Sequence, residues 1–173
     1  STSGATTVIL ASPGTYIPVT GASSSSAAIL ASPGTYVPTA GASAATLAPL
    51  GSYVATSGAA SATPAPLGTY VSTTGASAAT LAPIGSYVGT IGATTATLAS
   101  PGTYVSVTGA SAATLAPAGY YVGTSGATSA TQATPGTYVP RAGASAATLA
   151  PAGSYVSTSG ATTVILASPG TYI

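Results

Sequence analysis

The chain has almost no charge. Its 173 residues include one charged side chain, Arg141, and no Asp, Glu, Lys, His, Cys, Trp, Phe or Met, whereas about a quarter of the residues of an ordinary domain are charged. General acid–base catalysis needs a His, a carboxylate, a Lys, a Cys or a tuned Tyr. Only Tyr is present here, and the many Ser and Thr hydroxyls have no base to activate them. We therefore expect no enzymatic activity and no catalytic residue.

The same absences exclude several kinds of binding site. Without Cys, neither disulfides nor thiolate metal sites are possible, and without a carboxylate or imidazole we expect no metal and no cofactor. One Arg neutralises one phosphate, so we expect no nucleic-acid partner, and Arg141 is interpreted as a tolerated surface substitution. No apolar run approaches the roughly 20 residues that span a bilayer, so no transmembrane segment is expected.

A single repeating pattern fills the chain, and Gly143 to Ser159 shows it as G-A-S-A-A-T-L-A-P-A-G-S-Y-V-S-T-S. A fixed period of 17 residues predicts stacked units that support one another. The low charge and the β-branched residues favour an ordered chain over a disordered one. We interpret residues 1–173 as one continuous array. Its repeats begin at Gly4, Gly21, Gly41, Gly58, Gly75, Gly92, Gly109, Gly126, Gly143 and Gly160.

One insertion interrupts the 17-residue period, and a longer period is superimposed on it. The repeat at Gly21 has three extra residues between Ser23 and Ala28, which predicts a bulged loop that leaves the stacking intact. The segment 1–17 is identical to the segment 157–173, which gives a longer, 156-residue period. We therefore expect the chain to be one super-repeat plus an overlap of one repeat, cut from a longer array.

Each repeat contains two recurrent corners. In Ser100-Pro101-Gly102-Thr103, as at Pro13 and Gly14, Pro stands at position i+1 and Gly at i+2, which predicts a type II turn. In Ala116-Pro117-Ala118-Gly119, Pro117 again suits position i+1. Gly119 then stands at position i+3, which predicts a type I turn. The Gly that begins each repeat marks the second corner.

Between the corners lie two short strand-like segments, A-T-L-A and T/S-Y-V. No segment between Gly or Pro is long enough for a stable helix. Stacking of the repeats would place the equivalent residues of successive repeats next to one another. The resulting rows of identical residues are called structural ladders, and either the Tyr or the Val ladder would point into the core. These ladders are Tyr53, Tyr70, Tyr87, Tyr104, Tyr121, Tyr138 and Tyr155; Leu81, Leu98, Leu115 and Leu149; and Val88, Val105, Val122, Val139 and Val156.

The predicted fold is therefore all-β. We expect a β-solenoid with one 17-residue repeat per rung, the rungs joined by backbone hydrogen bonds and the core filled by the apolar ladders. The residue two after Tyr accepts Pro, as at Pro18, Pro38 and Pro140, and is interpreted as a third corner. The coil is then three-sided, or flattened with two sides. Polyproline-type helices are the minor alternative, disfavoured because no three-residue Gly or Pro period is present.

One stretch carries a resemblance to a known family. S-A-T-Q-A-T-P-G-T-Y-V-P-R-A-G-A-S-A-A-T-L-A-P-A-G-S-Y-V resembles the ephrin-receptor-like cysteine-rich repeats, in which C-P-A-G-T-Y-S is followed by G-A-S and another Cys. Ala82, Ala99, Ala116 and Ala150 stand where that family has its disulfide cysteines, so its fold is not transferred. The array is also similar to those of very large bacterial surface or filament proteins, and both resemblances imply an extracellular or cell-surface location.

These observations predict a non-enzymatic structural protein of an extracellular fibre, stalk or matrix filament. Its expected partner is itself, through end-to-end or lateral assembly. Two alternatives stay open. The array could be the stalk of an adhesin or ligand-binding surface protein, or Ser and Thr beside Pro could carry glycans in a mucin-like, O-glycosylated spacer.

The absence of Asp, Glu and His predicts a fold that does not respond to pH or salt. Linkage requires a group whose protonation differs between the folded and unfolded chain. We expect the melting temperature, followed by circular dichroism, to stay constant within about 2 °C from pH 5 to 9 and with added NaCl, since a larger shift would correspond to roughly 0.5 kcal/mol or more. A steep dependence on either variable would contradict this prediction.

Overall fold

The computed structural model describes residues 8–168, so the predicted repeat start at Gly4 lies outside the described residues. The described chain divides into two compact units. The first contains the described residues up to Pro66 together with Tyr70–Thr80 and Ile91–Thr95. The second contains Leu67–Thr69, Leu81–Thr90 and the described residues from Ala96 onwards. The same local structure recurs within each.

The regular structure is almost entirely β. Each strand within 8–168 is two residues long, and the strands are β1 Thr15–Tyr16, β2 Ile29–Leu30, β3 Thr35–Tyr36, β4 Thr46–Leu47, β5 Ser52–Tyr53, β6 Thr63–Pro64, β7 Thr69–Tyr70, β8 Thr80–Leu81, β9 Ser86–Tyr87, β10 Thr97–Leu98, β11 Thr103–Tyr104, β12 Thr114–Leu115, β13 Tyr120–Tyr121, β14 Thr131–Gln132, β15 Thr137–Tyr138, β16 Thr148–Leu149, β17 Ser154–Tyr155 and β18 Ile165–Leu166. A 3-10 helix covers Ser25–Ala27. The predicted all-β class is confirmed.

The strands pair as antiparallel hairpins, each odd-numbered strand with the next even-numbered one. Every hairpin joins the T/S-Y segment of one repeat to the T-L segment, or its equivalent, of the following repeat. In the second compact unit, for example, Thr103 lies opposite Leu115 and Tyr104 opposite Thr114. These pairs join unlike residues. The predicted ladders of like residues, and the solenoid itself, concern the arrangement of successive hairpins and stay predictions.

Four further backbone hydrogen bonds recur from repeat to repeat. They join residues that are 14, 20, 22 and 27 positions apart, with N···O distances of 2.7–3.0 Å. In the second compact unit one set, written donor first, is Ala116 to Gly102, Gly102 to Val122, Val105 to Ala127 and Gly126 to Ala99. The first compact unit contains the same set, written Ala48 to Gly34, Gly34 to Val54, Val37 to Ala59 and Gly75 to Ala48.

The three extra residues of the second repeat form the 3-10 helix Ser25–Ala27. The N–H groups that follow its start are satisfied locally, since Ala27 donates to Ser24 and Ala28 to Ser25. The bonds that span this insertion join equivalent positions three residues further apart, as in Gly14 N–H to the Val37 carbonyl at 2.8 Å. The insertion therefore leaves the hydrogen bonds between repeats in place, whereas the predicted stacking of the repeats across it stays a prediction.

The two turn sequences form the same turn. The Thr103 N–H donates to the Ser100 carbonyl and Gly102 has φ +87°, so the type II turn predicted for Ser100-Pro101-Gly102-Thr103 is confirmed. In the other sequence, the Tyr120 N–H donates to the Pro117 carbonyl and Gly119 has φ +84°. Pro117 is therefore position i and Gly119 is i+2, so the predicted type I turn is wrong. The position of the Gly with positive φ, and not the position of the Pro, therefore determines which four residues form the turn.

The core consists of Ala and Val. Val105 and Val88 are 2 % exposed, and Ala82, Ala99 and Ala116 are fully buried. Val therefore points inward, while the ring of Tyr104 is only half-buried. The expectation that Leu also fills the core is wrong, because Leu98 and Leu115 are each 59 % exposed.

Turn glycines lie in close contact with a second backbone segment. We call Gly102 and its equivalents the turn glycines, and the Gly that begins each repeat the corner glycine. A Cβ placed on Gly102 would overlap the carbonyl oxygen of Gly143, the corner glycine that begins the third repeat after it. The same overlap occurs at Gly34 with Gly75 in the first compact unit. The site therefore requires Gly for its open space as well as for its positive φ.

Gly102→Ala and Gly136→Ala separate these two requirements. Gly136 has φ +85°, close to +87° at Gly102, but nothing lies within 4 Å of its hypothetical Cβ. We expect Gly136→Ala to lower the free energy of unfolding by about 1–2 kcal/mol through the left-handed backbone alone. Gly102→Ala should cost about 1–3 kcal/mol more through overpacking. Urea denaturation followed by circular dichroism measures both, and equal losses would contradict the close approach.

Candidate assembly surface

Residues 8–168 contain no group of His, Cys, Asp or Glu that could hold a metal ion, and the sequence has none of these residue types anywhere. Arg141 is exposed. No helix of the part that the structure describes is long and apolar enough to cross a membrane. Apart from Arg141 and Gln132, the exposed side chains of residues 8–168 are therefore hydroxyl-bearing or apolar.

The strand leucines form the first part of this surface. Leu47, Leu81, Leu98 and Leu115 are each between 57 and 59 % exposed, at the second position of an even-numbered strand. Their inner side covers a corner glycine. In the first compact unit, the Leu47 Cδ2 lies 2.9 Å from where a Cβ on Gly75 would stand, and in the second, Leu98 covers Gly126 in the same way. Each Leu thus shields backbone on one side and faces solvent on the other.

Apolar residues also occupy the tips of several turns. Leu50, Leu67 and Ile84 stand immediately before a turn glycine and are 52, 51 and 55 % exposed. Ile91 and Val107, close to corner glycines, are 68 and 61 % exposed. Sequence reasoning did not single out these residues, because they vary between repeats. Within each compact unit taken by itself, we call its exposed strand leucines and its tip and corner residues the apolar surface of that unit.

The remaining ladder residues are divided between core and surface. Val88, Val105, Val122, Val139 and Val156 are all buried. The Tyr residues of the ladder are half-buried in the odd-numbered strands, except Tyr155, which is 38 % exposed. Tyr121 lies opposite Thr131 and Tyr138 opposite Thr148. The ladder residues Tyr121 and Tyr138 therefore each lie opposite a Thr and not opposite another Tyr.

Sequence reasoning missed the structural role of the recurrent Ala. Ala82, Ala99 and Ala116 stand at the cysteine positions of the resembling family, and the structure buries all three completely. Their N–H and carbonyl groups both take part in the recurring bond set, as when Ala99 accepts from Gly126 and donates to Gly85. The signal was present in the sequence, since a small residue occupies this position in repeat after repeat.

No family model matches the chain, and no curated protein matches it. The resemblance to ephrin-receptor-like repeats and to giant bacterial surface or filament proteins therefore stays a prediction.

Val105→Ala and Leu98→Ala test the division between core and surface. Val105 is the smaller side chain but is 2 % exposed, whereas Leu98 is 59 % exposed. Because stability follows the apolar area removed from water, we expect Val105→Ala to cost about 1–2 kcal/mol and Leu98→Ala less than about 1 kcal/mol. Urea midpoints measure this order. A larger loss at Leu98 would show that the leucines, and not the valines, carry the core.

Proposed function

We propose that this chain is a non-enzymatic structural protein whose stacked repeats build an extracellular fibre, stalk or matrix filament. The observation that carries the proposal is the recurring set of four backbone hydrogen bonds. Through this set, a repeat within the array donates to and accepts from repeats on both sides of it in the sequence. An array of this kind lengthens by adding further repeats of the same sequence, with no new type of contact.

In this proposal the repeats form a solenoid-like coil. The sequence separations between hydrogen-bonded residues indicate how its repeats are arranged. One repeat per rung would place bonded backbone groups one sequence period apart, but the observed bonds join positions whose numbers differ by 14, 20, 22 and 27. The turn glycine Gly102 and the corner glycine Gly143, which lie in contact, are fewer than two and a half repeats apart in the sequence. We infer that the repeats of this coil are not stacked with each residue directly on its equivalent in the next repeat.

The surface chemistry supports self-assembly. Net charge keeps proteins apart in solution, and this chain has a formal charge of only +1. Exposed apolar side chains favour association when they are grouped, and several stand on the hairpins and turns of each compact unit. The proposed partner is therefore another copy of this chain, joined laterally through the apolar surface or end to end.

The proposed location is extracellular or cell-surface, and two other functions share that location. A non-repetitive domain elsewhere in the full gene would favour the stalk of an adhesin or ligand-binding protein. Exposed Ser and Thr, such as Ser129 and Thr134, would carry the glycans of a mucin-like spacer. Intact mass separates the spacer from the fibre, because heavy glycosylation adds a broad excess over 15.9 kDa.

Assembly of the full chain tests the proposal. We expect its sedimentation coefficient to rise with protein concentration and electron microscopy of the concentrated sample to show filaments. Aligned filaments should diffract at the strand spacing of about 4.7–4.9 Å. Leu81→Ser/Leu98→Ser/Leu115→Ser, which changes only exposed positions, should weaken lateral association and leave the circular dichroism spectrum unchanged. A chain that stays monomeric at every concentration would contradict the proposal.

A further inference from the structure

Exposed aliphatic side chains of the second compact unit meet at its corner glycines. Leu81 covers Gly109, with its Cδ2 2.9 Å from where a Cβ on that glycine would stand. A Cβ on the turn glycine Gly68 would overlap the carbonyl oxygen of the same Gly109. Leu67 immediately precedes Gly68 in the chain. The two exposed leucines therefore border one corner glycine from two different repeats.

The same arrangement recurs in the next repeat. Leu98 covers Gly126, with its Cδ2 3.1 Å from the position of a Cβ there. A Cβ on Gly85 would overlap the carbonyl oxygen of Gly126, and Ile84 immediately precedes Gly85. Ile84 is also only three residues after Leu81, so the exposed side chains at one corner glycine continue into those at the next.

A third corner glycine extends this series. Leu115 covers Gly143, and a Cβ on Gly102, which follows Pro101, would overlap the Gly143 carbonyl oxygen. We call the exposed residues that border these three corner glycines the aliphatic row. In sequence order, the members of the aliphatic row are Leu67, Leu81, Ile84, Leu98, Pro101 and Leu115.

Gln132 continues the aliphatic row with a polar side chain. It stands at the strand position that Leu98 and Leu115 occupy in their repeats. Its Nε2 lies 2.6 Å from where a Cβ on the corner glycine Gly160 would stand, so it covers that glycine as the leucines cover theirs. Gln132 is exposed, and it is the only Gln in the sequence. One hydrogen-bonding amide thus follows a series of aliphatic side chains.

The chemistry of the row favours a second copy of this chain as its partner. The row contains no ionisable group, so a charged partner would lose hydration there without gaining an opposite charge. A second copy presents an uncharged row with the same spacing, and the formal charge of +1 on each copy opposes their approach only weakly. Contact between identical surfaces is also the arrangement of a two-fold dimer.

We propose that two copies associate row against row, in the register that places Gln132 opposite Gln132. The inference rests on the proposed self-assembly and names its lateral contact. In this register each amide can donate to and accept from the other. In another register the amide would be buried against an aliphatic side chain without a hydrogen-bond partner, which is unfavourable. Gln132 therefore specifies the register, as a single polar residue does between the helices of a coiled coil.

The size of the row determines how tightly it binds. At roughly 100 Å² for complete burial of a Leu or Ile, the five Leu and Ile side chains of the row, each 51–59 % exposed, offer about 300 Å² of apolar surface. A stable interface buries about 800 Å² on each partner. We therefore expect reversible association that strengthens with the number of repeats in contact.

Charge substitutions at residue 132 of the full chain test the register. Gln132→Glu would place like charges opposite each other, although it lowers the formal charge of the chain from +1 to 0. In sedimentation velocity at low salt, we expect Gln132→Glu and Gln132→Lys, each alone, to raise the concentration for half-association by about tenfold or more. An equimolar mixture of the two should associate at least as readily as the parent chain, because Glu then faces Lys.

Thr131→Glu and Thr131→Lys are the matched controls. Thr131 is exposed and precedes Gln132 in β14, and successive side chains of a strand point to opposite faces. These variants have the same formal charges as those at residue 132 but should associate like the parent chain. Circular dichroism checks that all four variants keep the parent spectrum.

A single-cysteine trap gives an independent readout, because the parent chain has no Cys. Gln132→Cys should form a disulfide-linked dimer of twice 15.9 kDa on a non-reducing gel. Dissolved oxygen takes the two electrons and two protons that the pair of thiols loses. Thr131→Cys should form much less of this dimer, since a disulfide requires the two Cα atoms to lie within about 7 Å.

The outcomes separate this inference from the proposed function. Weaker association of each charge variant at residue 132, restored in their mixture and not seen at residue 131, supports the register. If the parent chain forms filaments but Gln132→Glu associates equally well, or if residues 131 and 132 give equal effects or equal disulfide dimers, the register is overturned and the fibre function stands. A parent chain that stays monomeric at every concentration contradicts the fibre function as well.

Discussion

At most turn glycines of residues 8–168, two backbone segments lie so close together that no Cβ fits between them, and this contact determines much of the remaining structure. At Gly102 no side-chain atom fits between the Cα and the carbonyl of Gly143. The turn must therefore contain Gly. The residue with positive φ is position i+2 of a type II turn, whether Pro stands at position i or at position i+1. The two glycines of each repeat thus fix where the chain reverses and which repeats meet.

This close packing leaves little room for a core. The buried hydrophobic residues of 8–168 are all Ala or Val, and Ala99 and Val105 are almost or completely buried. Ala contributes little apolar area, so hydrophobic burial in each repeat is small. Backbone hydrogen bonds, each contributing roughly 1 kcal/mol net, then carry a large share of the cohesion. Since most of them join different repeats, a single repeat has little stability of its own.

Several features of the fold could be predicted from the sequence because they depend on local chemistry. The period, the all-β class, the turn at Pro101-Gly102 and the loop that absorbs the three extra residues all follow from Gly, Pro and strand-forming residues within one repeat. The antiparallel hairpins between repeats could not be predicted. A sequence period shows that neighbouring repeats are equivalent, but it does not show which residues of one repeat pair with which residues of the next. Thr103 opposite Leu115 is as compatible with the sequence as Leu opposite Leu.

The exposed positions of Leu and of the other apolar residues could not be predicted for a related reason. Hydrophobicity assigns Leu98 to the core, but Leu98 is 59 % exposed and covers the corner glycine Gly126 from outside. The turn of Ala116-Pro117-Ala118-Gly119 was misassigned because Pro suits two turn positions, whereas the conformation of Gly119 permits one. In both cases packing between distant repeats selects among options that the local sequence leaves open.

The 3-10 helix at Ser25–Ala27 shows where this architecture accepts change in length. Three added residues are accommodated there while the bonds across the insertion keep their equivalent donors and acceptors. The loop after a corner glycine is thus independent of the spacing of the hydrogen-bonded positions. An array built on this plan can accept a peptide, an epitope or a larger inserted domain at that loop while the hydrogen-bonded scaffold beneath it stays the same.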